Sequence, residues 1–279
     1  AMILGSRPSG VATGSRNLKE GSLMDKMGDG LQAKSSEPVD AGLKEAVHSM
    51  KAEVASFTYG EEEVMGACES GHPEARTLVL GGGDPRDDAL AEEALDESVA
   101  WKGRIFNVDR LTVRLPDGRE AVRDVVRHPG AVAIIALTDG GRICLVRQYR
   151  TALGRVTVEI PAGKLDPGED PLDCARRELL EETGMAAKKI AFLTTIATSA
   201  GFCDELIHIY MATGLSYGCP NPDEDEFLHV DLVELSELVD AVLDGRIEDA
   251  KTVVGVLACD AIAHRLSTSA GVEGERTVG

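Results

Sequence analysis

Residues 163–185 read GKLDPGEDPLDCARRELLEETGM, and the limits of one helix can be read from them. Asp170 can accept hydrogen bonds from the first free backbone N–H groups, and Pro171 suits the first helical position. Asp173 puts negative charge in the first turn, where the helix dipole favours it. Gly184 is the expected stop, because the residue after a helix takes a left-handed conformation that is cheap only for glycine. Leu172, Ala175 and Leu179 mark a buried stripe. Glu178, Glu181 and Glu182 stand three and four apart and share a face. Carboxylates that close repel one another unless a cation lies among them, and Mg²⁺ is a hard ion that takes oxygen ligands. Arg177, four residues before Glu181, can hold it by an ion pair. The other reading of such a helix is a solvated face laced with salt bridges, and spacing alone does not separate the two.

Working outward, residues 131–137 form the apolar run AVAIIAL, the pattern of a strand buried on both faces. Asp139, Gly140 and Gly141 turn the chain, and residues 142–149 return as the next strand. Further strands are expected at 157–160, 190–198, 206–212 and 228–233, and closing helices at 236–244 and 250–266. Before the apolar run, residues 104–108 and 111–114 alternate like strands. Pro116, Asp117 and Gly118 signal a turn, and 119–126 continue the sheet.

The first hundred residues have another texture. Residues 1–40 are rich in Gly, Ser and charge, and the first fourteen hold too short an apolar stretch for a secretory signal. They read as a tag remnant or a leader without fixed structure. Leu43, Val47, Met50, Val54 and Phe57 recur at helical spacing. Residues 58–100 are acidic and read as a solvated linker. Leu78, Val79 and Leu80 look like a short strand running into three glycines, but no Lys-Ser/Thr follows to make a phosphate loop. The expected organisation is a leader over 1–96, largely disordered with a helix at 41–58, a strand unit over 97–128, a main domain over 129–268 and a flexible tail over 269–279.

Composition narrows the partners. The 279 residues carry a net charge of −19, which disfavours nucleic acid, whose phosphates are bound by clustered Lys and Arg. No apolar run approaches the roughly 20 residues of a membrane span. The cysteines at 68, 144, 174, 203, 219 and 259 form no C-x-x-C pair, so a zinc site is not expected. Several fall in strand or helix, as buried reduced thiols would, and a cytoplasmic location is expected.

The quoted stretch matches the Nudix box, G-x5-E-x7-R-E-U-x-E-E-x-G-U with U apolar, at Gly163, Glu169, Arg177, Glu178, Leu179, Glu181, Glu182, Gly184 and Met185. Seven fixed identities arise by chance at roughly 10⁻⁸ per starting point, and this overturns the reading as a plain charged face. The resemblance extends to GAVAIIALTDGGRICLVRQYR, VEIPAGKLDPGE, SAGFCDE, PDEDEF and the tail LVDAVLDGRIEDAKTVVGVLA. Across residues 101–266 the chain resembles the ADP-ribose pyrophosphatase branch of the Nudix hydrolases.

That resemblance implies an α/β/α sandwich around a mixed sheet, preceded by the strand unit. It implies Glu178 and Glu182 as main Mg²⁺ ligands, with Mn²⁺ as a substitute, Glu181 bridging and the Ala162 carbonyl joining them. Glu169 supports helix and loop. Glu224 and Glu226 complete the metal site and activate water, with their division of labour open. Arg150 contacts substrate phosphate, and Phe106 and Glu205 join the substrate site. The implied reaction is hydrolysis of a nucleoside-diphosphate sugar, with ADP-ribose giving AMP and ribose 5-phosphate. The strand unit implies a homodimer whose partner helps to build the pocket. One departure stands out: the loop Thr198-Ser199-Ala200-Gly201-Phe202 lacks the proline common in that branch, which would fix φ. ADP-glucose, GDP-mannose or nucleoside triphosphates therefore stay open as substrates. A non-catalytic nucleotide-sugar sensor is the remaining alternative, against which the complete set of box carboxylates stands.

Overall fold

The computed structural model describes residues 83–222 and 226–274. The helix expected at 41–58, the short strand at Leu78–Leu80, Cys68 and Glu224 lie outside the described residues.

A 3-10 turn, Asp87–Leu90, leads into ten strands: β1 (Glu93–Lys102), β2 (Asn107–Arg114), β3 (Glu120–Arg127), β4 (Ala131–Ala136), β5 (Arg142–Arg150), β6 (Arg155–Glu159), β7 (Ala162–Lys164), β8 (Met185–Ala197), β9 (Leu206–Tyr217) and β10 (Leu228–Glu234). Helix α1 (Pro171–Thr183) lies between β7 and β8, and α2 (Leu235–Leu243) and α3 (Ala250–Gly274) follow β10.

Strand β4 shows why the domain is layered. All six of its residues are buried, and successive side chains point to opposite faces. Val132, Ile134 and Ala136 meet Cys174, Ala175 and Leu179 of α1. Ala131, Ala133 and Ile135 meet a second core containing Leu238 and Ala241 of α2 and Val256 and Cys259 of α3. Cys144 of β5 joins the first core while Ile143 and Leu145 join the second. The result is an α/β/α sandwich. Its middle layer combines a four-stranded sheet in the order β7-β4-β9-β8 with a three-stranded sheet in the order β10-β5-β6. The first is mixed: β4 runs parallel to β9 and antiparallel to β7.

Strands β1-β2-β3 form a separate antiparallel sheet. It joins the sandwich where the Val126 N–H donates to the Phe202 carbonyl at 2.7 Å and the Asp204 N–H to the Val126 carbonyl at 3.1 Å. Strand β1 corrects the expected linker, for residues 93–100 are strand. They carry little apolar alternation because charge holds them: Glu93 pairs with Arg114 at 2.5 Å and Glu97 with Arg127 at 2.7 Å. The proposed break between 108 and 111 is also absent, since β2 runs unbroken through Asp109 and Arg110. Helix α3 continues to Gly274, past the expected end at Leu266, because a helix once nucleated extends at little cost after its apolar period has ended. Among the described residues no helix is long and apolar enough to cross a membrane.

Candidate active site

Helix α1 begins and ends as its residues dictate. The Asp170 side chain accepts from the Leu172 N–H at 2.8 Å and the Asp173 N–H at 3.4 Å. Gly184 closes the helix at φ 69° and donates to the Leu180 carbonyl. With the apolar stripe buried, Glu178 and Glu182 are drawn in beside it, at 9% and 3% exposure. Glu181 does not share that fate. It stays half-buried and accepts from Arg177 at 3.1 Å, the ion pair expected from the i,i+4 spacing.

Arg177 is divided among three acids. It grips Glu169 with two nitrogens, at 2.9 and 2.8 Å, and reaches Glu178 at 2.6 Å as well as Glu181. Glu169 also accepts from the Asp166 N–H at 3.0 Å, tying the loop before α1 to the helix, and Arg177 holds its carboxyl down at about 2. Glu182 accepts from the Ala162 N–H at 3.1 Å. Burial raises the Glu182 carboxyl to about 8 even so, helped by the charges of Glu178 and Glu226. Burial also raises Glu178, against the pull of Arg177 and with the push of Glu181 and Glu226.

These residues fit a divalent metal. Arg177 offsets Glu178, but among the described residues Glu182 has a backbone donor and no ion pair, and a buried carboxylate beside another is costly without a countercharge. Strand β7 makes room for them: a Cβ built on Gly163 would meet the Glu178 carboxylate oxygens at 2.0 and 2.3 Å. The donors are hard oxygens, as Mg²⁺ requires. Among the described residues no three His, Cys, Asp or Glu side chains are already gathered as a closed cage. An ion here would also draw on backbone oxygen, water and substrate.

A cleft of about 640 Å³ is lined by Ala162 and Gly163, the neighbours of Glu182 and Glu178, while the two carboxylates themselves do not line it. Ala162, Gly163 and Lys164 of β7, Arg150, Thr157 and Glu159 of β5 and β6, and residues 246–251 line it, together with Glu205 and His128. Arg150 lines the cleft, and its guanidinium rests on Glu159 through two bonds of 2.7 Å. Glu205 pairs with His128 at 3.1 Å. Phe106 is not in this cleft. It stacks on Trp101 with ring centroids 5.3 Å apart and lines a second hollow of about 370 Å³.

Sequence reasoning missed Glu159 and Lys251. Glu159 is 2% exposed and Lys251 8%, and their side chains meet directly, with Asp249 holding Lys251 at 2.9 Å. Burial pushes Glu159 up, but Arg150, Lys251 and Thr157 outweigh it and hold the carboxyl at about 2. A signal existed: an acid between Val158 and Ile160 in an apolar strand needs a partner.

Comparison with known proteins agrees with this geometry. The NUDIX domain family matches residues 126–254. A methanol dehydrogenase activator of Bacillus methanolicus is 46% identical over 169 residues, 59% of this chain and 90% of that protein. An ADP-ribose pyrophosphatase of Bacillus subtilis (strain 168) is 42% identical over 170 residues, 60% of this chain and 92% of that protein. The crystal structure of an ADP compounds hydrolase shares the fold, with a TM-score of 0.54 at 22% identity over 68% of this chain and 98% of that one. Kinship that spans at least 90% of two relatives, together with an intact box folded around buried carboxylates, places this chain in the family of NUDIX hydrolases.

Proposed function

We propose that the protein hydrolyses the diphosphate bond of ADP-ribose to AMP and ribose 5-phosphate, using Mg²⁺, with Mn²⁺ as a substitute. The observation that supports this is the buried pair Glu178 and Glu182, in contact with Gly163 and Ala162 of a cleft that Arg150 also lines. The ion would be held by Glu178 and Glu182, with Glu181, Glu226 and the Ala162 carbonyl completing the oxygen set. When bound, such an ion neutralises diphosphate charge and lowers the pKa of water. The protein's own share is positional. Glu169 and Arg177 fix the helix against its loop. Glu224 or Glu226, shortly before β10 in the sequence, takes the proton of the attacking water. Arg150 faces the charge that develops on the phosphate oxygens. Glu205 and His128 line the same cleft and would contact the sugar.

The 42% identity to an ADP-ribose pyrophosphatase supports this substrate. Thr198, from the loop without proline, lines the cleft, which favours some tolerance for other nucleoside-diphosphate sugars. A panel of ADP-ribose, ADP-glucose, GDP-mannose, NADH and dGTP, each with and without Mg²⁺, tests the assignment. Preferred turnover of dGTP would overturn it.

A homodimer belongs to this reading. Val99, Trp101 and Val122 on the β1–β3 sheet are more than half exposed, and apolar side chains on a small sheet call for cover. Phe106 lies outside its own cleft, so it would meet substrate across a subunit boundary. Light scattering at micromolar concentration checks this, and a fully active monomer would refute it. The buried free thiols of Cys144, Cys174 and Cys259 support a reducing, cytoplasmic setting.

A further inference from the structure

Lys251 stands where local rules disfavour it. It occupies the first turn of α3, at the positive end of the helix dipole, and its side chain is 9% exposed. Two unfavourable placements at one residue point to a function outside the helix itself.

The surroundings supply the function. Asp249 divides its two oxygens: Oδ2 accepts from the Thr252 N–H at 3.0 Å and the Thr252 hydroxyl at 2.5 Å, capping α3, while Oδ1 accepts from Lys251 Nζ at 2.9 Å. Lys251 Nζ also donates to Glu159 Oε2. That carboxylate accepts in addition from the Thr157 hydroxyl at 2.6 Å and from two nitrogens of Arg150. The chain of charges therefore runs Asp249, Lys251, Glu159, Arg150. Its middle, Lys251 and Glu159, is buried, and the Asp249 side chain at its far end is 20% exposed. Its outer end is the Arg150 side chain, 40% exposed in the cleft wall.

We propose that Lys251 is a positioning residue that sets, through Glu159, how firmly Arg150 is held and so how readily its guanidinium engages a diphosphate. Glu159 and an incoming phosphate compete for the same guanidinium N–H groups. Lys251 shares the charge of Glu159 and loosens that grip, while Asp249 keeps Lys251 from swinging away. With Lys251 neutralised, Glu159 keeps Arg150 to itself and phosphate must displace it. This deepens the proposed function, whose phosphate contact is Arg150, but it concerns anion affinity and can be read without turnover.

The test is a double-mutant cycle on the full chain with Mg²⁺, in which inorganic pyrophosphate binding is measured by calorimetry for wild type, Lys251→Met, Arg150→Ala and the double variant. The expected result is about tenfold weaker binding in Lys251→Met and no further loss when it is added to Arg150→Ala. Lys251→Arg should recover to within about twofold of wild type. Should Lys251→Met fail to fold, Lys251→Gln, which keeps a donor for Glu159 without its charge, completes the cycle, with about threefold loss expected. In parallel, KM for ADP-ribose should rise in the Lys251 variant while kcat stays within about twofold. Losses that add independently in the double variant, or wild-type protein that does not bind pyrophosphate, would overturn the proposal. Coupled pyrophosphate binding without ADP-ribose turnover would instead uphold it and refute the substrate assignment.

Discussion

Gly163 and Glu178 compete for one volume: a Cβ on residue 163 would lie 1.9 Å from the Glu178 carboxyl carbon. The obstacle is the free end of a side chain, so Gly163→Ala moves the carboxylate rather than the backbone. We expect stability within about 1 kcal/mol of wild type and a fall in kcat/KM on the order of 10²-fold from a misplaced ligand. A melting curve beside steady-state kinetics checks both, and unchanged kinetics would remove Glu178 from the site.

Glu182→Gln should leave the fold intact and reduce turnover on the order of 10³-fold. Glu182 is 3% exposed, and the glutamine can still accept from the Ala162 N–H. Near-normal turnover at saturating Mg²⁺ would contradict a ligand role.

Metal affinity should depend on pH through the same residue. Burial lifts the Glu182 carboxyl in the metal-free fold to about 8, above its unfolded value, so the fold disfavours its charged form. Below about pH 8 an incoming ion must displace that proton, and Mg²⁺ binding should strengthen by up to about tenfold per pH unit between 6 and 8. Glu182→Gln should flatten this dependence. Calorimetric titrations at three pH values decide the point, and a flat wild-type profile would count against it.

Glu159 predicts the opposite sign for stability. Arg150, Lys251 and Thr157 hold its folded carboxyl at about 2, below the unfolded value. Its contribution is therefore fully present above the unfolded pKa and is lost as pH falls toward about 2. Glu159→Gln leaves two cations near the cleft without their shared acid, and urea midpoints at pH 7 should drop strongly. The gap from wild type should narrow as pH is lowered to 3. A constant gap would deny the ion-pair account.

Helix α1 was legible because its signals are local: Asp170 caps, Pro171 starts, Gly184 stops, and the carboxylates follow one period. Strand β4 was legible for the same reason. Strand β1 was not, because its partners Arg114 and Arg127 lie on other strands and no apolar alternation marks it. Strand β7 is three residues long, too short for any period. The contact of Glu159 with Lys251 joins residues 92 positions apart, and only the fold brings them together. Glu182 and Glu181 look equivalent in sequence, and the different burial of their side chains separates them.

The limits of β1 bear on truncation. A chain starting at Asp96 would lose Glu93 and the Glu92 pair with Arg123. One starting at Gly83 keeps the whole sheet, and we expect it to retain full turnover. Loss of catalysis in a folded chain from Gly83 would assign the preceding residues a part in the site.

The most direct test of the central claim is chromatography of the products formed from ADP-ribose by the purified chain with Mg²⁺ and, in parallel, with chelator. The account predicts equimolar AMP and ribose 5-phosphate with Mg²⁺ and neither with chelator. Intact ADP-ribose under both conditions, alongside release of pyrophosphate from a nucleoside triphosphate, would contradict it.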